Sequence, residues 1–410
     1  MKVKEQEKKK TKRWMRFRHK LITTVGRPIM RVYCRLRYGI RIEPFKEQGD
    51  RPYLVLYNHQ TAFDQFFVAA AFRGPVYYVA TEDIFSLGWI SGLIRYLVAP
   101  IPIRKQTTDI QAVMTCIRVA REGGTIAMAP EGNRTYNGRT VYMNPAVASL
   151  AKKMGLPIAL LRIEGGYGVQ PRWSDVVRKG KMRAYVSQVI EPEDYKDKTA
   201  DALLAMIREG LEVNEAQVSG TFRHKRLAEY MERLIYVCPH CGLAEFESNG
   251  DLVRCKSCGL EARYLPTKEF EGTKGDFPFR FVLDWYDYQC RFVNGLDLSA
   301  YTETPLFRDT ARLSEVIVYK HKKLLREECR ITLYGSRVVI DEGSSEELVF
   351  PFAETQAFTV LGKNKLNIYH GKQVYQLKGS KRFNALKYVN LFHRFKNIAS
   401  GDGNNDFLGI

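Results

Sequence analysis

His59 and Asp64 stand in the stretch Tyr57-Asn58-His59-Gln60-Thr61-Ala62-Phe63-Asp64-Gln65. Inside one helix, a spacing of five would turn them about 140° apart. The flanks argue against one helix: Tyr53-Leu54-Val55-Leu56 reads as a buried strand, and Phe66 to Phe72 continues as a helix. With His59 on the intervening turn and Asp64 in the first helical turn, carboxylate and imidazole can share a hydrogen bond. Such a bond fixes the imidazole tautomer and raises its basicity, as a general base acting on a hydroxyl requires. A second group follows another strand-like run, Thr125 to Ala129. There Pro130 and Gly132 force a tight turn that presents Glu131 and Arg134. An arginine on a strand-end loop suits bidentate capture of a phosphate.

A third group is metallic in character. Cys238-Pro239-His240-Cys241-Gly242 and Cys255-Lys256-Ser257-Cys258-Gly259 are two knuckles with 13 residues between them. Four thiolates satisfy tetrahedral zinc, and the glycine after each second cysteine permits the turn that aims backbone N–H groups at sulfur. Iron in a rubredoxin-like knuckle is the minority alternative. With all four positions filled by protein, the role is structural. His240 reads as a surface residue, and Cys116 as an inert core thiol on the apolar side of a helical pattern.

The elements around these groups alternate. Strands at 53–56, 76–80, 125–129, 156–163 and 182–189 are separated by helices through 72, over 109–122, over 144–154 and over 199–217. That order predicts an α/β domain with a mostly internal sheet flanked by helices. Gly88 and Gly92 read as a turn. An aromatic helix is expected from about 277 to 293. Beyond residue 300, short β-type runs from Glu315 to Leu377 with glycine turns precede a helix, 382–395. The expected organisation is 1–40 a basic amphipathic membrane-surface segment, 41–220 the α/β domain, 221–270 a zinc ribbon, 271–299 an aromatic linker helix and 300–410 a β-rich domain.

Charge bounds the partners. Lys and Arg number 64 against 45 Asp and Glu, a net +19, which favours anionic partners. Ten of the basic residues fall within Met1–Lys20, where no apolar run resembles a secretory signal. From Trp14, the apolar residues Trp14, Met15, Phe17, Leu21, Ile22 and Val25 interleave with cations, a pattern able to lie on an anionic leaflet; a disordered basic tail leading into a packed helix and, third, a nucleic-acid arm are the alternatives. No window is long enough for a transmembrane helix. The expected place is therefore cytoplasmic, peripheral on the inner face of the cell membrane, with paired thiols kept reduced. The ribbon carries few basic residues, which disfavours nucleic acid as a partner.

Taken together, Asn58-His59-Gln60-Thr61-Ala62-Phe63-Asp64 and Pro130-Glu131-Gly132-Asn133-Arg134-Thr135 resemble two blocks of the glycerolphosphate acyltransferase superfamily. Ile101-Pro102-Ile103-Arg104 between them and Leu156-Pro157-Ile158-Ala159-Leu160 after them look like two more, in the same order. Ala129, Asn133 and Leu160 depart from residues common there. The resemblance implies transfer of an acyl group from acyl-CoA or acyl-ACP (acyl carrier protein) to a hydroxyl of a lysophospholipid, 1-acylglycerol-3-phosphate, giving phosphatidic acid. It implies His59, Asp64 and Glu131 as catalytic residues, and Arg104, Arg134 and Gly132 as phosphate-binding residues. The C-terminal strands capped by one helix resemble a pleckstrin-homology-like barrel. The competing reading is an inactive acyltransferase-like zinc-ribbon protein that binds nucleic acid, lipid or a protein partner.

Overall fold

The computed structural model describes residues 13–81, 84–85, 89–103, 109–140, 142–317, 321–402 and 407–409. Arg104 and the first twelve residues of the basic lead lie outside the described residues.

The first part runs α1 (Phe17–Tyr38), β1 (Ile40–Ile42), β2 (Leu54–Tyr57), α2 (Asp64–Ala71), β3 (Val76–Thr81), α3 (Trp89–Val98), β4 (Ile101–Ile103), α4 (Ile110–Arg121), β5 (Thr125–Met128), α5 (Ala146–Met154), β6 (Ile158–Glu164), α6 (Gly166–Val169), β7 (Met182–Ile190), α7 (Pro192–Tyr195) and α8 (Ala200–Leu211). Its seven strands lie in the order β1-β7-β6-β2-β5-β3-β4. The strands β6, β2, β5, β3 and β4 are mutually parallel, while β7 runs antiparallel to β6. Side chains along a strand alternate between faces, and this sheet is covered on both. Leu54, Leu56, Ile126, Met128, Ile158 and Leu160 pack with residues of α4, α5 and α8. Tyr53, Val55, Tyr57, Ala127, Ala159 and Leu161 pack with α1 and α2. A strand buried on both sides needs the near-continuous apolar runs seen in β2, β5 and β6. Cys116 is buried in the first of these cores, where desolvation pushes its thiol pKa up to about 12.

Some expected boundaries move, each for a tertiary reason. Gly92 lies inside α3 rather than in a turn. The expected helix to residue 217 stops at Leu211, because Val213 N bonds Thr140 Oγ1 and Glu215 N bonds Gly138 O. Trp14 and Met15, expected on the membrane-facing side, pack against the core under α4, with Trp14 Nε1 donating to Ala99 O.

The ribbon consists of the β8 (Val237–Cys238) and β9 (Gly242–Leu243) hairpin and an antiparallel sheet of β10 (Phe246–Asn249), β11 (Leu252–Cys255), β12 (Glu261–Tyr264) and β13 (Phe270–Lys274). The aromatic helix α9 (Val282–Asn294) begins later than its composition suggests. Residues up to Phe281 are extended and pair with Glu269 and Phe270 instead. The rest is β14 (Phe307–Ile317), β15 (His321–Leu333), β16 (Arg337–Ile340), β17 (Leu348–Pro351), β18 (Thr355–Leu361), β19 (Lys365–His370), β20 (Gln373–Gly379) and α10 (Leu386–Ala399). These strands form one antiparallel half-barrel in the order β17-β16-β15-β14-β20-β19-β18. Phe352 and Phe358 meet Phe392 of α10 at 5.5 and 4.9 Å between ring centroids, so the helix plugs the sheet. Seven antiparallel strands and one closing helix thus make up the β-rich part. One continuous core runs from Tyr136, Tyr167 and Trp173, through the ribbon and Trp285 of α9, into the half-barrel. Burial of this kind ties all three parts to the loops at one end of the first sheet.

Candidate active site and tetrathiolate centre

Strand β2 delivers His59, and its parallel neighbour β5 delivers Glu131 and Arg134, so both loops leave the same edge of the sheet. Asp64 is the first residue of α2, where a carboxylate meets the positive end of the helix dipole. It is fully buried, and its oxygens accept from Gln60 N (2.7 Å), Thr61 N (3.0 Å), Thr61 Oγ1 (2.6 Å) and the His59 ring. The His59 Nδ1 to Asp64 Oδ2 separation is 2.8 Å. That bond puts the remaining proton on Nδ1 and leaves Nε2 as the acceptor. The imidazole side chain stays 23% exposed, against none for the carboxylate. Burial pulls the His59 pKa below the ordinary histidine value; Asp64 opposes this, and the charges of Arg134 and Arg172 add to the lowering. The ring is therefore neutral at pH 7.

The second loop is tied to the first. Glu131 Oε1 accepts His59 N at 2.8 Å, and Thr135 N donates to His59 O at 3.0 Å. Glu131 thus grips the backbone of His59 in this structure. Gly132 takes φ +67°, the left-handed geometry that closes the turn with Gly132 N on Ala129 O. Arg134 is half-buried, and its Nη1 is buried with no hydrogen-bond partner among the described residues. Burial and the nearby charge of Arg172 hold its pKa down to about 10, so it remains a cation at neutral pH. A buried guanidinium donor without a protein acceptor is costly unless a ligand supplies one. Arg104, expected beside it, is outside the described residues.

Two contributors to this corner were not anticipated. Arg172 is 4% exposed; it lies over the Tyr136 ring (4.0 Å) and donates to Arg134 O (3.0 Å) and, across the molecule, to Val360 O of β18 (3.3 Å). Gln170 Oε1 accepts from Ala62 N at 3.3 Å. Both sit on the loop after β6, which is parallel to β2 and so opens on the same edge. The signal available was Gly165-Gly166 directly after an apolar strand. A Cβ on Gly166 would lie 2.5 Å from Gln60 Cβ, so only glycine lets that loop approach the His59 turn. Asn58 bonds Ile163 through both its amide groups, pinning β2 to β6 at the site.

The four cysteine sulfurs of Cys238, Cys241, Cys255 and Cys258 all lie within 4.8 Å of one another and could hold one metal ion. Cys238 to Cys258 is 3.5 Å and Cys241 to Cys255 is 3.6 Å. Tetrahedral zinc with bonds of about 2.3 Å needs edges of about 3.8 Å, so the donor set fits with little movement. Gly242 and Gly259 take φ +78° and +75°, the left-handed turns each knuckle requires. His240 points elsewhere, bonding Asp276 O.

Residues 39–164 match the acyltransferase family model. The chain is 22% identical over 147 residues to a chloroplastic 1-acyl-sn-glycerol-3-phosphate acyltransferase of Brassica napus, covering 35% of this chain and 42% of that one. It is 21% identical over 136 residues to the 1-acyl-sn-glycerol-3-phosphate acyltransferase of Bacillus subtilis (strain 168), covering 33% and 65%. The chain thus spans less than two thirds of the length of either relative. Among solved structures, the 1-acyl-sn-glycerophosphate acyltransferase PlsC of Thermotoga maritima aligns at 19% identity with a TM-score of 0.39, covering 47% of this chain and 77% of that one.

Proposed function

We propose, on the premise that residues 39–164 are a domain of the glycerolphosphate acyltransferase superfamily, that the chain is an O-acyltransferase making phosphatidic acid from 1-acylglycerol-3-phosphate. One observation supports this reading above the rest: the Asp64-bonded imidazole and the guanidinium with an unfilled donor sit on adjacent loops tied by two hydrogen bonds. Arg134, with Arg104 and the field of Arg172, binds the acceptor phosphate and so holds the glycerol hydroxyl at His59 Nε2. His59 takes the hydroxyl proton as the oxygen attacks the thioester carbonyl of acyl-CoA or acyl-ACP. Asp64 stabilises the imidazolium. The tetrahedral adduct collapses, the C–S bond breaks, and the proton on Nε2 passes to the departing thiolate. Glu131 and Gly132 set the loop that holds Arg134 beside His59.

The substrates are lipids, and the outer surface suits them. Helix α1 turns Phe17, Leu21, Val25, Ile29, Val32 and Leu36 outward along about 28 Å, while Arg27 and Arg31 bond backward to Phe72 O and Ala70 O. Trp89, Ile90, Leu93 and Tyr96 of α3 continue that exposed apolar face. Large exposed apolar patches mark interaction surfaces, and no helix among the described residues is long and apolar enough to cross a membrane. This exposed apolar face beside basic residues supports the proposed peripheral attachment to an anionic leaflet, on the cytoplasmic side. Zinc on the four thiolates closes the ribbon and has no part in the chemistry.

The test is turnover of lysophosphatidic acid with labelled acyl-CoA or acyl-ACP by wild type and His59→Ala. A loss of at least about 100-fold is expected, the scale of removing a general base. Equal turnover by both proteins, with unchanged circular dichroism, would overturn the assignment.

A further inference from the structure

The C-terminal end of α1 borders a groove of about 770 Å³ that the acyl-transfer chemistry does not use. Its lining includes Arg37, Arg178, Lys179, Arg223, His224 and Lys225, and no acidic residue. Two tripeptides far apart in sequence, Arg178-Lys179-Gly180 and Arg223-His224-Lys225, are brought side by side by a pair of backbone bonds: Lys179 N to Arg223 O (3.0 Å) and Arg223 N to Lys179 O (2.8 Å). Arg37, Lys179, Arg223 and Lys225 are exposed, and none forms an ion pair among the described residues. Neighbouring arginines are different, since Arg183 pairs with Glu43 and Arg226 with Glu229.

The buried member is fixed. Arg178 is 1% exposed, sandwiched near the rings of Trp173 (5.0 Å) and Tyr264 (5.2 Å), and bonded to Gly168 O and Leu227 O. Leu36, 81% exposed and the last member of the outward stripe of α1, lines the same groove. Cations in this number, held together with no anion of the protein among them, form an anion site. The apolar stripe running into it says from where the anion comes. The opposing end of the α1 dipole contributes only about half a charge and is already capped by Gly39 N on Arg35 O.

We propose that this groove binds the phosphate group of an anionic lipid in the membrane on which α1 lies, as a site separate from the acceptor site at Arg134. The inference rests on the membrane reading of α1 but not on the acyl-transfer assignment. It sets the protein's register on the bilayer: the stripe enters the leaflet and the groove takes a headgroup at its C-terminal end.

The experiment uses the full chain with vesicles of phosphatidylcholine alone or doped with phosphatidylglycerol, whose phosphodiester is anionic without being a substrate of the proposed reaction. Wild type is expected to partition more strongly onto the doped vesicles. Arg223→Glu/Lys225→Glu is expected to lose that preference by at least about 10-fold, the scale of two basic residues at an anionic surface. A control of equal charge change on the half-barrel, Lys372→Glu/Lys378→Glu, is expected to keep it. Equal losses in both variants would reduce the effect to net charge and overturn the proposal, as would full retention in the groove variant. Binding of inorganic phosphate to wild type without vesicles, together with no gain on the doped vesicles over phosphatidylcholine alone, would assign the groove to a free anion instead, against the lipid. Turnover of a short-chain, vesicle-free lysophosphatidate is expected to be the same in all three proteins. Its loss in the groove variant alone would place the groove in the acceptor site and overturn the separation; its absence in wild type would defeat the acyltransferase reading without touching this one.

Discussion

The tetrathiolate corner and the catalytic corner are both clusters of polar side chains presented by glycine turns, and both touch one continuous core. They differ in which way the donors face. Around the cysteines, four sulfurs converge on a single point and leave no position for a substrate. At the other corner Asp64 is saturated by backbone, hydroxyl and imidazole donors, yet Arg134 a loop away keeps a buried donor unfilled. Saturated groups hold shape, and the unsatisfied one marks where something from outside must bind. Mutations at the closed corner should therefore break the protein, and those at the open corner its kinetics.

The largest effect is expected from opening the closed corner. Structural tetrathiolate zinc contributes about 10–16 kcal/mol of apparent binding energy in small zinc-finger peptides. Cys255→Ser should lower bound metal below one per chain and unfold the ribbon at temperatures where wild type is intact. Because Trp285 Nε1 bonds Val237 O beside the first knuckle, tryptophan fluorescence reports the loss. A variant that melts like wild type would show that the sulfurs need no metal.

Asp64→Asn comes next; its amide NH2 cannot accept from the donors that one carboxylate oxygen now satisfies, so it should cost about 1–3 kcal/mol of stability while cutting kcat by about 10²–10⁴-fold, through the wrong imidazole tautomer. The pH profile sharpens this. In wild type the active, neutral His59 is lost as pH falls through a pKa already below the ordinary histidine value of 6.5. Asp64 is the group raising that pKa, so removing its charge should move the acid limb to still lower pH. A limb that moves upward, or does not move, would remove the His59–Asp64 pair from the rate equation.

Arg134→Gln removes the unfilled donor itself. Hydrogen bonds to charged groups are worth about 1.5–3 kcal/mol, so kcat/KM for the phosphorylated acceptor should drop about 10- to 100-fold. For an acceptor lacking the phosphate the two proteins should differ little. An equal loss for both acceptors would make Arg134 a structural residue.

How much of this was legible beforehand follows from how local each signal is. The cysteine knuckles with their glycines are local patterns, and so are the His59 turn and the Arg134 turn after their apolar strands. The doubly covered sheet could be read because β2, β5 and β6 are apolar without interruption. The long strands β14 and β15 were anticipated only in part, because Arg308, Thr310 and Arg312 alternate with the buried Phe307, Ala311 and Leu313 in a register that only pairing partners reveal. The outward stripe of α1 was visible as amphipathicity, and Phe17, Leu21 and Val25 do face out, but Trp14 and Met15, grouped with them, go inward because their partners are Ala99 and Glu122, far along the chain. Arg172 could not be found, since its two acceptors, Arg134 O and Val360 O, are 38 and 188 residues away.

Arg172 gives the smallest effect and the closest test of how the two corners communicate. Its planar fork spans from the Arg134 loop to the half-barrel, and nearby Asp175 is shared by Arg233 (2.8 Å) and Lys363 (2.8 Å). Burial raises the pKa of Asp175, but these two cations outweigh it and hold the carboxyl down to about 2, so this junction stays ionised at any pH above the usual carboxylate range. Arg172→Lys keeps the charge that acts on His59 and Arg134 but cannot hold two divergent carbonyls with one ammonium. A buried carbonyl left without its donor costs about 1–3 kcal/mol of stability. The expected kinetic loss is smaller, within about 10-fold in kcat/KM, falling mainly on KM because Arg134 loses its backbone anchor while His59 keeps Asp64. Since both cations lower the His59 pKa and the lysine preserves both charges, the acid limb of the pH profile should stay where it is. A shift of that limb would mean that the lysine's charge no longer sits where the guanidinium stood, and a loss confined to kcat would place Arg172 against the reacting atoms instead of behind Arg134.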